Sequence, residues 1–585
     1  MKKQISNLIL LLIALLWVQP AVASSEAEYR KLSKAYTLHT DGSQEFRYQM
    51  ELTLFTHTAM NSTYGESFII YDPRYQELKI HAAYTVQKDG NIVKAPENAF
   101  VEVLPRSAVH APAYNHLKEM VVVHTGLELG ATIYLDYSII SKPGYLKELD
   151  IYEELQQTSP VKEYQITLSA PENKPLSYTL HGLNGKETLS KENGNQVVKW
   201  TFRNLPASSR APEVYAMNGD VPFLTATTFP SEKEASQVLY QQFNSKNDVQ
   251  LLTVAEAITE NATQEAEKLY LLLNYVSNEI DNSRVSLQEA GYRIRQADEV
   301  INTAYGTLAE KVNLLSGLLN ALNIQADPVA LYKVNAQPGT YGLSAIQELF
   351  VVASADNQSY YLSPLGNTPA IGAFLADLVP VLRVENGERI SVNGWSTGID
   401  YQYIIRLADQ QAEIKTSAKV GNSFLPYSAT PLMALGVSDT GADYRRGKEG
   451  ISFEATENRG VEEKGGYLLF SLPDCPRSIA HGMYSGYNTK RKENLTLVYP
   501  VHESYRYQIE IPENLELSTP ATVKNISNKA GTLSVSVQQN GNVLEVTRTL
   551  EIPNRKISPS EYADFRDLVV QWSDQQGKTI LFKVK

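Results

Sequence analysis

The chain has 585 residues and a mass of 65.2 kDa, a length that predicts about three to four domains. Its 53 basic and 65 acidic side chains give a net charge of −12, which would repel phosphate backbones, so we expect no nucleic-acid partner. The 35 tyrosines and single cysteine are typical of sheet-rich proteins that do not depend on disulfides.

The N-terminus has the pattern of an export signal. Lys2 and Lys3 precede an apolar run over Leu8–Val18, and Ala21–Ala23 forms a small-residue cleavage pattern of bacterial type. The run is short for a membrane of about 30 Å, which favours a cleaved signal peptide over residues 1–23 rather than an anchor helix. We therefore expect an exported chain with no integral membrane span after cleavage. It would be periplasmic, at the cell surface or secreted.

Residues 24–230 are predicted to form an all-β sandwich. Phe46–Leu54 alternates apolar and polar residues with period two, as a half-buried strand does. Asp89-Gly90 and Asn193-Gly194 are hairpin-turn signals between such strands. Many short strands separated by turns indicate a sandwich.

Residues 231–370 are predicted to form an α+β domain, because the period changes to that of helices. Helical patterns cover Glu232–Phe243 and Thr253–Ile280, and two strand-like segments follow residue 323. The clearest apolar stripe steps by four and three residues and indicates a buried helix face. This stripe consists of Leu308, Val312, Leu315, Leu319 and Leu322.

Residues 371–585 are predicted to form a β-rich C-terminal module. Ser504–Pro512 alternates as a strand, and Asn540-Gly541 indicates a hairpin. One helix is predicted near the end, with Ser558 as its capping residue. The predicted architecture is thus multidomain, with β-rich parts on both sides of an α+β core.

The central domain resembles the transglutaminase-like superfamily, which has a papain-like core. Ala290–Gly306 matches the Gly-Tyr-Arg, Ala-x-x-Val and Tyr-Gly pattern that precedes the nucleophile in this family. The family continues with Asp-Cys-Lys-Asp-Lys, where this chain has Thr307–Lys311. The resemblance therefore implies that Leu308 occupies the catalytic cysteine position.

The resemblance extends to the other two catalytic positions. Glu348 falls on the position of the family's histidine, and Ser363 falls on that of its orienting aspartate. Tyr71–Val93 resembles an uncharacterised β module that precedes such domains in Gram-negative envelope proteins, and residues 557–572 resemble the module that follows them.

Each replacement removes part of the family's chemistry. A thiolate at a helix N-terminus attacks, a histidine moves the proton and an aspartate fixes the tautomer of that histidine. Leu308 has no lone pair, Glu348 has no nucleophile to activate, and Ser363 carries no fixed charge. We therefore predict a pseudoenzyme without catalytic residues, in which Leu308 is a core residue and Ser363 a turn residue. Glu348 would be a solvated carboxylate or a partner of Lys311.

No cofactor or metal is predicted. The chain lacks HExxH, CxxC and P-loop patterns, and His110 and His116 are more typical of loop residues than of metal ligands.

The leading hypothesis is an exported, non-catalytic protein that binds a peptide, protein or glycan in the bacterial envelope, or acts there as a scaffold. One alternative is an active cysteine amidohydrolase or acyltransferase, in which Cys475 has taken over the nucleophile's role with His481 as its base. The favoured interpretation of Cys475 is a buried, inert thiol. The other alternative is a purely structural scaffold.

Overall fold

The computed structural model describes residues 25–208, 221–243, 249–333, 336–392, 395–408, 410–438, 442–487 and 490–585. The predicted signal peptide lies outside these residues. The chain divides into two compact units. The first contains the described residues up to 149, together with 154–175 and 183–208, and the second contains 150–153, 176–182 and the rest of the chain.

The first unit is built from antiparallel strands with one parallel pair. Its main sheet has eight strands in the order β12-β13-β10-β1-β2-β8-β4-β5, in which β1 and β10 are parallel, and a smaller sheet has the order β3-β7-β6. These strands are β1 Ala27–Leu38, β2 Gln44–Leu54, β3 Glu66–Tyr71, β4 Gln76–Val86, β5 Ile92–Lys94, β6 Phe100–Val103, β7 Lys118–Val123, β8 Thr132–Ser141, β10 Val161–Pro171, β12 Lys186–Glu192 and β13 Asn195–Leu205.

The second unit begins with a three-stranded sheet and the helical region. The sheet has the order β11-β14-β9, and a further four-stranded sheet has the order β19-β18-β17-β20. The helices are α1 Glu232–Tyr240, α2 Val249–Ile258, α3 Glu265–Asn274, α4 Ala297–Thr303, α5 Leu308–Ala321 and α6 Ile371–Phe374. The strands are β9 Asp150–Glu154, β11 Ser177–His181, β14 Phe223–Thr227, β15 Asp281–Asn282, β16 Tyr305–Gly306, β17 Ala326–Tyr332, β18 Ile346–Ala355, β19 Gln358–Leu362 and β20 Val381–Arg383.

Helix α5 lies at the centre of this region. It contacts α2, α3 and α4 as well as strands β17 and β18, and every residue from Ala309 to Leu319 is buried. The helical pattern over Thr253–Ile280 is interrupted between α2 and α3. Thr259 donates its hydroxyl to the carbonyl of Ala255, and the amide of Ala262 bonds back to Thr259, so the chain turns there.

The C-terminal part of the second unit is a sheet structure with one long helix. An eight-stranded sheet has the order β23-β24-β22-β21-β28-β32-β31-β30, and a four-stranded sheet has the order β25-β26-β34-β29. The strands are β21 Gly398–Ala408, β22 Gln411–Gly421, β23 Asp443–Gly447, β24 Gly450–Gly460, β25 Glu462–Lys464, β26 Tyr467–Ser471, β27 Leu495–Thr496, β28 Val501–Glu510, β29 Leu515–Leu517, β30 Thr522–Ser527, β31 Thr532–Asn540, β32 Val543–Ile552, β33 Lys556–Ile557 and β34 Thr579–Val584.

The terminal helix α7 spans Tyr562–Ser573 and buries Phe565 and Trp572 among other side chains. It begins four residues after the predicted cap. The Ser558 hydroxyl donates instead to the carboxylate of Glu561, and the Ser558 backbone carbonyl accepts from the Glu561 amide, which forms a turn before the helix.

The predicted fold class is confirmed, because β-rich parts precede and follow an α+β core along the chain. The residue boundaries between the three predicted domains stay a prediction. Among the described helices, none has the length and apolar character needed to cross a membrane.

Candidate functional site

The N-terminus of α5 is closed by its own side chains. The hydroxyl of Thr307 accepts from the amide of Glu310 at 3.4 Å, and the Thr307 amide donates to Glu310 Oε2 at 2.8 Å. This reciprocal pair is a capping box, which satisfies amide donors that a helix N-terminus otherwise offers to an anion. Leu308 is the first helical residue and is only partly buried, so it does not join the fully buried face that was predicted for it.

A buried ion pair fixes the segment that precedes α5. Arg295 Nε lies 3.0 Å from Glu310 Oε1 and its Nη2 lies 3.1 Å from Oε2, while Glu310 is completely buried. Arg295 also donates to the carbonyl of Tyr305 at 2.7 Å and stacks 4.5 Å from the centre of that ring. Sequence reasoning missed this pair, although the Thr-x-x-Glu pattern could have revealed the capping half of it.

Lys311 does not pair with Glu348, contrary to one sequence-based expectation. Its side chain is buried, and its Nζ donates to the carbonyl of Ile280 at 2.7 Å. Burial lowers the pKa of Lys311 to about 8, although the nearby Asp281 acts in the opposite direction. The lysine therefore stabilises the segment beside β15 rather than a carboxylate on β18.

Glu348 is not a solvated strand-end carboxylate either. It is partly buried near the start of β18, and desolvation raises the pKa of its carboxyl to about 7, against a lowering by the backbone N–H of Gly372. A Cβ at Gly372 would lie 3.1 Å from Glu348 Oε2 and 3.0 Å from a ring carbon of Phe350. Glycine thus allows α6 to pack closely over this carboxyl, and no ion pair to Glu348 is present among the described residues.

Ser363 lies in a turn directly after β19. Its hydroxyl accepts from the amide of Leu365 at 3.4 Å and its carbonyl accepts from Gly366 at 3.3 Å, as expected for a turn residue. Strands β18 and β19 form an antiparallel hairpin in which Val351 pairs with Leu362. This register brings Glu348 and Ser363 to the same end of the hairpin, and Leu308 heads the helix that packs against β17 and β18.

Cys475 belongs to the core of the C-terminal module. It is completely buried, and desolvation raises the pKa of its thiol to about 11 against weaker lowering by Tyr401 and the amide of Arg477. His481 is directed to Asp474, with Nε2 3.1 Å from Oδ1. A buried, protonated thiol is a poor nucleophile, so this geometry gives no support to a relocated active site.

One of the two histidines of the N-terminal loop, His116, is paired with charged side chains. His116 contacts Asp72 and Arg74, with 3.7 Å between His116 Nε2 and Asp72 Oδ2. Across the part of the chain that the structure describes, no group of three or more His, Cys, Asp or Glu side chains is arranged to hold a metal ion.

Three family descriptions match the chain in the predicted order. A domain of unknown function, DUF3857, matches residues 40–209. The transglutaminase-like superfamily matches residues 252–361, and a second domain of unknown function, DUF3858, matches residues 467–582. The three-module resemblance predicted from the sequence is confirmed.

The chain is similar to the crystal structure of a suspected protease from Parabacteroides distasonis ATCC 8503. The two share 39% identity over 96% of this chain and 99% of that chain, with a TM-score of 0.78. A suspected cysteine protease from Cytophaga hutchinsonii shares 12% identity over 53% of this chain and 96% of that chain, with a TM-score of 0.19. A mutant M1 zinc metallopeptidase from Deinococcus radiodurans shares 11% identity over 34% and 42% of the two chains, with a TM-score of 0.18.

The last two TM-scores are too low to carry any argument about this chain, and no curated protein matches it. The Parabacteroides distasonis structure, in contrast, matches nearly the whole of both chains. Together with the order of the three matched regions, this similarity shows that the chain belongs to the family in which a transglutaminase-like core lies between a DUF3857 and a DUF3858 module.

Proposed function

We propose that this protein is an exported, non-catalytic member of the transglutaminase-like superfamily that binds a peptide, protein or glycan in the bacterial envelope or acts there as a scaffold. The observation that carries the proposal is the N-terminus of α5. The family resemblance assigns Leu308 to the nucleophile position, and the capping box between Thr307 and Glu310 takes up the amides of these two residues. An apolar side chain would thus stand in place of the attacking thiolate, and two amides at this helix end serve structural hydrogen bonds.

The surroundings of Glu348 support the same proposal. A general base must lie within hydrogen-bond reach of the group it deprotonates. Glu348 is desolvated beneath α6, and its carboxyl accepts a hydrogen bond from the backbone N–H of Gly372. A carboxyl packed in this way is better suited to hold α6 than to exchange protons with a substrate.

This close packing also favours scaffolding over ligand binding within the transglutaminase-like region itself. A partner would then be recognised on other surfaces of the chain. Protease activity is suspected for the Parabacteroides distasonis protein. The same activity in this chain would need a nucleophile other than Leu308.

The proposal is tested by assaying the purified mature chain for amide hydrolysis and amine transfer on casein and on glutamine-containing peptides. We expect no activity above a heat-denatured control. The variant Leu308→Cys/Glu348→His/Ser363→Asp tests whether the frame supports catalysis once the family's residues are restored. A Cys475→Ala variant is the matched control for the relocated-thiol alternative.

Wild-type activity that exceeds the control and is lost in a variant of this region, such as Glu348→Gln, would overturn the proposal. Wild-type activity that is lost in Cys475→Ala would support the relocated enzyme instead. Export is tested separately, by measuring the N-terminal residue and the cell fraction of the protein in its native host. An uncleaved, cytoplasmic chain would contradict that part of the proposal.

A further inference from the structure

The C-terminal module contains a cavity of about 350 Å³ on the inner face of its eight-stranded sheet. Its floor includes Tyr401, Tyr403 and Thr416, and its walls come from residues 435–438 and 473–476. Small-molecule sites in proteins have volumes of about 300–1,000 Å³. The cavity lies outside residues 252–361, the region that matches the transglutaminase-like superfamily.

Strand β24 carries two charged residues on the same face as its buried residues, where the strand runs on beyond the core. Ile451 and Phe453 point into the core and are buried, and the alternation of the strand places Glu457 and Arg459 on this same face. The register agrees, because Glu457 pairs with the buried Ile414 of β22. Both side chains line the cavity and stay about half exposed, with exposed fractions of 48% for Glu457 and 44% for Arg459.

Each carboxylate of the cavity has a cationic partner. Arg459 Nη2 lies 2.8 Å from Glu457 Oε1, and Lys578 Nζ lies 2.8 Å from Asp474 Oδ2. These pairs supply hydrogen-bond donors and acceptors while their charges offset each other. Such a lining favours a neutral ligand with several hydroxyl groups over an ion.

The wall formed by residues 473–476 is held rigidly from behind. Tyr507 donates its hydroxyl to the carbonyl of Pro473 at 2.7 Å, and the amide of Cys475 donates to the hydroxyl of Tyr505 at 3.4 Å. The rings of Tyr403 and Tyr507 stack at 5.0 Å across the parallel strands β21 and β28. A preformed wall lowers the cost of ordering the site when a ligand binds.

One buried polar group at the cavity floor lacks a strong partner. The Tyr401 hydroxyl has the weakly accepting Cys475 thiol beside it, and it forms no hydrogen bond to oxygen or nitrogen among the described residues. The oxygen of this hydroxyl is itself buried from water, so a ligand in the cavity would not reach it. Apolar surface from Leu435, Val437 and Pro476 completes the lining.

We propose that this cavity binds the end of a neutral glycan, about one or two sugar rings in size. The apolar wall would contact the ring carbons, and the paired charges and Thr416 would bond to hydroxyl groups. A charged oligopeptide or polyamine would instead need an unpaired charge in the lining.

The test is isothermal titration calorimetry of the full mature chain with N,N′-diacetylchitobiose, cellobiose and maltose, and with spermidine as a cationic probe. We expect saturable binding of at least one disaccharide and none of spermidine. Loss of one charged hydrogen bond should weaken disaccharide binding about tenfold in Glu457→Ala. Ala455→Trp, which fills the cavity from its floor, should abolish it.

Asn458→Ala is the matched control, because Asn458 is exposed on the opposite face of the same strand, and it should bind as the wild type does. Absence of disaccharide binding at about 10 mM, where even millimolar affinity would register, would overturn the proposal. Binding that survives both cavity variants, or binding of spermidine alone, would overturn it as well. Circular dichroism of each variant verifies that a loss of binding does not reflect unfolding.

Discussion

Replacement of Glu348 by glutamine should stabilise the protein at alkaline pH and change little at acidic pH. Desolvation raises the pKa of this carboxyl from its usual 4.5 to about 7, so the folded chain holds a proton that the unfolded chain releases. Between these two values stability therefore falls as the pH rises, and above pH 7 the folded state carries the full cost of the ionised group.

The shift corresponds to at most about 3 kcal/mol of lost stability. Because Glu348 is partly exposed, screening by solvent reduces the expected effect to about 1–2 kcal/mol. Glutamine keeps the shape of the side chain and removes the ionisation. For a domain of this size, the corresponding rise in Tm at about pH 8 is a few degrees.

The assay is differential scanning calorimetry of wild type and Glu348→Gln at about pH 8 and about pH 4.5, since the difference between the two pH values isolates this ionisation. Glu462→Gln is the control, because Glu462 is an exposed strand glutamate. Equal Tm differences at both pH values, or the same pH response in the control, would refute the claim that Glu348 is desolvated beneath α6.

Three further predictions concern the same region and the lone cysteine. Thr307→Ala removes the hydroxyl of the capping box and should cost about 1 kcal/mol of unfolding free energy, measured by urea denaturation, and an unchanged midpoint would contradict the cap. Arg295→Met leaves the carboxylate of Glu310 buried without its cation and should cost about 3 kcal/mol or more in the same assay, and a loss below that of Thr307→Ala would argue against the buried pair. Cys475 should react with iodoacetamide at neutral pH only after denaturant is added, because burial keeps the thiol protonated, and rapid labelling of the native chain would disprove its burial.

Local sequence patterns predicted much of the secondary structure. Strand β28 alternates buried and outward residues over Val501–Glu510. This period of two in hydrophobicity predicts a strand even when its partner strands are unknown. Turn signals such as Asn540-Gly541 fell between strands, since these residue types tolerate the backbone of tight turns. The helical pattern over Thr253–Ile280 did not reveal the break between α2 and α3. Hydrophobic periodicity does not show where a side chain such as Thr259 bonds to a backbone carbonyl.

The sequence predicted which residues form the candidate site, but it could not predict their surroundings. The resemblance to the family's motifs assigns Leu308, Glu348 and Ser363 to the three catalytic positions. Ser363 lies in a turn, as expected. The environment of Glu348 could not be predicted, because the element that covers it is α6, whose residues come more than twenty positions later in the chain. The same holds for Lys311, whose partner is the carbonyl of Ile280.

The sequence by itself predicted that Leu308 falls on the family's nucleophile position, and a leucine side chain cannot attack a carbonyl in any fold. It also determined the order of β-rich and helical parts, which depends on short-range periodicity. Only the tertiary structure decided which polar groups are withdrawn from water. The burial of Cys475 depends on contacts between strands far apart in the chain, and such contacts form only when the sheets assemble.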